Sequence, residues 1–231
     1  MRIMFVGDSM TIGSAGDFTW RYRMWEHLNT TYGGPYKIVG PRQEVYDKLA
    51  DAPVSHAYGD PGFPSHARRH LAGWGEGWLH MAPVIQDTLR THRADTLLIS
   101  LGLIDLGFYT DAPQTVDNVR RFVAEARAAN PTVRAVLLPV IPNIRAEADP
   151  PFGAEVARFN GLLGQAVAEL STADSPLLLT SRPEGYDIHR DTYDGTHPNA
   201  SGEHRIAAAF AAAMHQAWDV GDGYQLELSA V

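Results

Sequence analysis

Short apolar runs alternate with longer amphipathic stretches along this chain. The runs lie at residues 3–6 (Ile-Met-Phe-Val), 36–40, 95–100, 133–139 and 176–180, and Gly, Pro or Asp bounds most of them. Their length and β-branched content predict buried strands. Between them, residues 18–30 place Trp20, Met24 and His27 on one helical face. Residues 112–129 predict a helix stopped by Asn130-Pro131, and residues 153–170 and 200–218 predict two more. Ser65 is positioned to open a short helix through Leu71. Gly73-Trp74-Gly75-Glu76-Gly77-Trp78 then interrupts, and a longer helix runs to about residue 90. Residues 41–65 read as a long irregular segment, with Tyr46, Tyr58 and Phe63 arguing against disorder. Residues 224–228 alternate like an edge strand. Strands alternating with helices predict an α/β fold, a three-layer α/β/α sandwich around about five parallel strands. Neither a repeat nor a low-complexity linker appears, so residues 1–231 read as one domain.

The first run leads directly into Gly7-Asp8-Ser9-Met10-Thr11-Ile12-Gly13. A serine on a tight, glycine-flanked turn at the carboxyl end of a strand sits where α/β folds place their chemistry. A hydroxyl becomes a nucleophile only with a base beside it and a group that orients the base. Asp194-Gly195-Thr196-His197-Pro198, near the other end, supplies both. His197 can accept the Ser9 proton at one ring nitrogen while Asp194, three residues earlier, holds the other N–H. Asn199 is placed to cap the last helix. Asp8 reads as pinning the turn and not as the base.

Composition narrows the chemistry. Of 231 residues 45% are apolar, enough for a substantial core, and the net charge of -8 with no long basic stripe argues against a nucleic-acid binder. With no cysteine, thiolate chemistry and disulfides are both absent. No apolar stretch approaches the roughly 20 residues needed to span a bilayer, and no leader pattern opens the chain. These features predict a soluble, cytoplasmic protein with no membrane partner.

The two glycine-bearing blocks, taken together, resemble the first and last blocks of the SGNH (GDSL) hydrolase family, and the order of strands and helices fits that family from end to end. The resemblance implies a flavodoxin-like fold and a Ser-His-Asp hydrolase acting on small-molecule esters or related acyl compounds, with no metal and no organic cofactor. It also implies oxyanion donors from the Ser9 N–H, a glycine N–H on a middle loop, and an asparagine side chain on another. Gly62 is the best match for the glycine, with Gly73 and Gly75 as competitors. The family's third block reads Gly-x-Asn-Asp, whereas this chain has Gly102-Leu103-Ile104-Asp105. Ile104 can donate nothing. Either two backbone donors suffice, or another polar residue reaches in, Asn143 being the candidate, or the site serves another purpose. Asp105 keeps the pattern and reads as structural.

Two further features bear on function. His66 and His70 have a spacing that suits metal ligands, but no third ligand is evident, so exposed helix histidines are the better reading. Among the aromatics, Trp20, Trp25 and Trp78 read as packing, while Phe63, Phe108 and Tyr109, with Ile104 and Asn143, are candidates to line a substrate pocket. A serine esterase is the leading reading. An acyltransferase using the same serine, or a non-catalytic binding module on the same fold, are the alternatives.

Overall fold

The computed structural model describes residues 1–226. The first strand, β1 (Arg2–Gly7), contains Ile3, Met4, Phe5 and Val6, all with no exposed surface. A single helical turn, α1 (Ser9–Ile12), follows, then α2 (Trp20–Thr31) and the short β2 (Lys37–Ile38). The segment expected to be irregular instead forms an antiparallel hairpin, β3 (Val45–Asp47) and β4 (Ala52–Ser55). The chain passes a 3-10 turn (Ser65–Ala67) and rejoins the sheet as β5 (Leu71–Ala72). Next come α3 (Trp78–Met81), α4 (Ile85–His92), β6 (Thr96–Ser100) and a π-helical turn (Asp105–Tyr109). The remainder is α5 (Ala112–Ala129), β7 (Arg134–Leu138), α6 (Ile144–Ala148), α7 (Pro150–Leu170), β8 (Leu177–Leu179) and α8 (Ala200–Trp218).

The strands of the main sheet are all parallel, in the order β2-β1-β6-β7-β8. β5 joins the outer edge of β1 beyond the point where β2 ends, with Val6 opposite Leu71 and Gly7 opposite Ala72. Helices cover both faces: α2 packs on α8, while α5 packs on α4 and α7. This is the predicted α/β architecture with five to six parallel strands. Strands buried on both faces explain the near-continuous apolar runs. Phe5 meets Trp20 edge-on at 5.2 Å, and Trp20 stacks on Phe210 of α8 at 4.6 Å, which joins strand and helices in one apolar block.

Helix limits follow local chemistry. Asp111 and Gln114 form a capping box for α5, and Asn199 caps α8 through the N–H groups of Ser201 and Gly202. Asp149 caps α7, whose first two residues are prolines, so it starts at 150 and not 153. Other expectations needed correction. The helix predicted over 65–71 is a 3-10 turn and then a strand, and the helix predicted up to residue 90 is two pieces, α3 and α4. Of the edge strand expected at 224–228, residues 224–226 are not in a strand, and 227–228 lie outside the described residues. Among the described residues no helix is long and apolar enough to cross a membrane.

Candidate active site

The turn after β1 is shaped by close contacts. A Cβ on Gly7 would sit 1.9 Å from Thr11 Oγ1 and 2.9 Å from the Ser100 carbonyl oxygen, so only glycine fits. Asp8 caps α1, its Oδ1 accepting from the Met10 N–H at 3.0 Å. Ser9 is thereby the first helical residue, directly at the carboxyl edge of the sheet. Asp8 is fully buried. Burial, opposed by the Met10 N–H and reinforced by the like charge of Asp105, pushes its carboxyl up to about 7.

The second block is a turn drawn closed by Asp194. Its Oδ1 accepts from the backbone N–H groups of Thr196 (3.0 Å) and His197 (2.8 Å), and its Oδ2 lies 2.7 Å from His197 Nδ1. Partial burial alone would raise the Asp194 carboxyl. The hydrogen bonds from the His197 backbone and ring, and from Thr196, outweigh it and hold the group below its ordinary value. His197 Nε2 lies 2.9 Å from Ser9 Oγ. The two ends of the chain therefore meet, 188 positions apart, as the wound sheet requires. Asp191 anchors the turn to α8 from below through Ser201 and Arg205.

A cavity of about 390 Å³ opens beside Ser9 and His197. Ile104, Phe108, Tyr109 and Asn143 line it, together with Trp74, Gly75, Leu103, Arg145, Phe152 and Thr196. Asn143 is fixed at both ends of its amide: Oδ1 caps α6 at the Ala146 N–H, and Nδ2 donates to Thr196 Oγ1 at 3.1 Å. An amide carries two N–H groups, so one is left over.

Two expected site residues, the oxyanion candidate Gly62 and the pocket candidate Phe63, lie elsewhere. Gly62 does not border the cavity, and its N–H donates to Asp60 Oδ1 at 2.7 Å. Phe63 is 1% exposed and packs against Tyr22, Trp25 and Tyr58. Arg68 holds that segment down through the Phe63 carbonyl. The glycine that does border the cavity is Gly75, in the left-handed region at φ +72°. Among the described residues neither the Gly75 nor the Ser9 N–H has a hydrogen-bond acceptor. Gly73, the other competitor, donates to the Gly7 carbonyl at 3.1 Å. Asp105 holds this loop and not its own: its two oxygens accept from Trp78 N (2.8 Å) and Leu79 N (3.0 Å), fixing the exit of the segment that carries Gly75.

Sequence reasoning places Trp74 among the aromatics near the sheet's carboxyl edge but does not single it out as a wall of the site. Its ring stacks on His197 at 4.7 Å and on Tyr46 at 4.1 Å. The Gly-Trp-Gly spelling was the available signal, but it could not say what the indole would touch. His70, expected on an exposed helix, is buried, with Nε2 against the Glu44 carbonyl and Nδ1 accepting from Ala72 N. Among the described residues no group of three His, Asp or Glu is arranged to hold a metal.

The sequence model of the GDSL-like Lipase/Acylhydrolase family matches residues 5–205. The chain belongs to this family. It is a carboxylic ester hydrolase of the SGNH type. No curated protein matches the sequence. Among solved structures, one described as an acetyl esterase mutant with acetate ion shares 22% identity and a TM-score of 0.75, covering 94% of this chain and 97% of that one. A carbohydrate esterase family 3 protein from Talaromyces cellulolyticus gives the same values. The Clostridium thermocellum family 3 carbohydrate esterase shares 19% identity with a TM-score of 0.68, covering 94% of this chain and 96% of that one. At this identity the likeness establishes the fold.

Proposed function

We propose that this esterase cleaves small esters of a short acyl group through Ser9, His197 and Asp194. The observation that carries the reading is the 2.9 Å approach of His197 Nε2 to Ser9 Oγ, with Asp194 Oδ2 2.7 Å behind the ring. Ser9 Oγ attacks the ester carbonyl and its proton passes to His197 Nε2. Asp194 keeps the ring in the tautomer whose Nδ1 carries hydrogen and stabilises the imidazolium that forms. The C–O bond breaks as the imidazolium returns the proton to the leaving alcohol. Water, deprotonated by His197, then cleaves the acyl-serine.

The oxyanion of each tetrahedral intermediate is received by the N–H groups of Ser9 and Gly75, both without another acceptor among the described residues. The spare N–H of Asn143 is the third donor, replacing what Ile104 does not provide. Ile104, Leu103 and Phe152 give the cavity an apolar lining suited to an acyl chain. Likeness to an acetyl esterase supports a short acyl group. A fluorophosphonate probe followed by peptide mass analysis tests the reading: the adduct is expected on Ser9 and abolished in Ser9→Ala. Unlabelled wild-type protein, inactive on 4-nitrophenyl acetate, would refute it.

A further inference from the structure

We propose that Trp74 is a positioning residue for His197, holding the imidazole in the plane of its two hydrogen bonds and favouring its protonated form. The proposal rests on the esterase reading above. Four rings lie nearly parallel at the site. Trp74 lies against His197 with centroids 4.7 Å apart and planes 15° apart, and Tyr46 lies against Trp74 at 4.1 Å and 14°. Tyr193 lies against His197 at 5.8 Å and 16°. Lys48 Nζ sits 4.4 Å over the Tyr193 ring.

Trp74 is in contact with a ring on each of two neighbours, Tyr46 and His197, and its remaining surface borders the cavity. The face stacked on His197 is the one that acts on the base. The transition state for acylation places a positive charge on the imidazole, and an aromatic face beside a cation stabilises it. The same contact restricts rotation of the ring out of line with Ser9 Oγ. The indole is itself held firmly. Tyr46 is on β3 of the hairpin, the Gly73 N–H is bonded to the Gly7 carbonyl, and Arg42 pairs with Glu76 at 2.6 Å. Trp74 also immediately precedes Gly75, so one short loop carries both the support of the base and a candidate oxyanion donor.

The charged groups around the ring are Asp194 on its own turn, Asp17 ahead of α2, Lys48 on the hairpin and Arg145 across the cavity. All remain when Trp74 is replaced, so a shift in pH dependence reports the indole. In Trp74→Leu, kcat for 4-nitrophenyl acetate is expected to fall about two- to thirtyfold. The acid limb of kcat/KM is expected to move to lower pH, because the protonated ring loses a partner. Trp74→Phe keeps an aromatic face and should retain most of both.

A second measurement needs no turnover. Protonated imidazole quenches an indole in contact with it, and Trp74–His197 is the one tryptophan–histidine ring contact among the described residues. Wild-type emission should therefore rise with pH in a single step that disappears in both Trp74→Phe and His197→Ala. The proposal is overturned if that step is absent from the wild type or survives in either variant. It is equally overturned if folded Trp74→Leu keeps the wild-type acid limb. Failure of the esterase reading would be seen separately, as absent fluorophosphonate labelling of Ser9.

Discussion

The buried carboxyl of Asp8 gives a stability prediction whose sign and size can be worked through. Burial, opposed by the Met10 N–H and aided by the nearby Asp105 charge, lifts this group from 3.8 to about 7. A pKa raised on folding means that the folded chain binds the proton more tightly than the unfolded one. The stabilisation is complete below about pH 4 and is lost as pH rises through about 7. A shift of about 3 units corresponds to about 4 kcal/mol, a large part of the 5–15 kcal/mol typical of a folded domain. Asp8→Asn removes the titration and keeps an oxygen for the Met10 N–H. Urea unfolding of both proteins between pH 4 and pH 8.5 is the assay. The stability of Asp8→Asn relative to wild type should rise with pH by up to about 4 kcal/mol. Glu203, also pushed up to about 7 by burial, is common to both proteins and cancels in the difference. A difference that stays constant across this range would refute the reasoning.

Other outcomes follow from the site and the core. Asp194→Asn should lower kcat by as much as about 10⁴ while leaving the fold intact, measured by steady-state hydrolysis and circular dichroism. Asn143→Ala should lower kcat by about 10²-fold, and Ile104→Asn in that background should recover part of the loss; no recovery would argue that the two positions do not address the same oxygen. Phe210→Ala, which removes the partner stacked on Trp20, should destabilise the protein by about 3–5 kcal/mol in urea unfolding, because the ring is fully buried.

Much of this architecture is legible in the sequence because its signals are local. The apolar runs that became β1, β6 and β7 are continuous and bounded, as strands covered on both faces must be. The Ser9 and His197 blocks are legible because each turn is built by its own neighbours, Gly7 and Asp8 in one, Asp194 in the other. Most of what was misread depends on long-range contacts. Gly62 looked like the oxyanion glycine because the loop between β2 and β5 is long. Asp60 takes its N–H in a turn local to the segment, whose Asp-Pro-Gly spelling was available but was not read as such, whereas nothing local reveals that Tyr22 and Trp25 hold Phe63 in the core. β5 spans only Leu71–Ala72, too short for a periodicity, and it exists because the outer edge of β1 is open there. The pairing of Trp74 with His197 joins residues far apart in the chain and has no trace in either segment alone.

The 188 positions between Ser9 and His197 also set an order of events during synthesis. The turn bearing the hydroxyl leaves the ribosome 188 residues ahead of its imidazole partner. On the mechanism proposed, a nascent chain that has not yet reached His197 carries an alcohol no more reactive than any other serine.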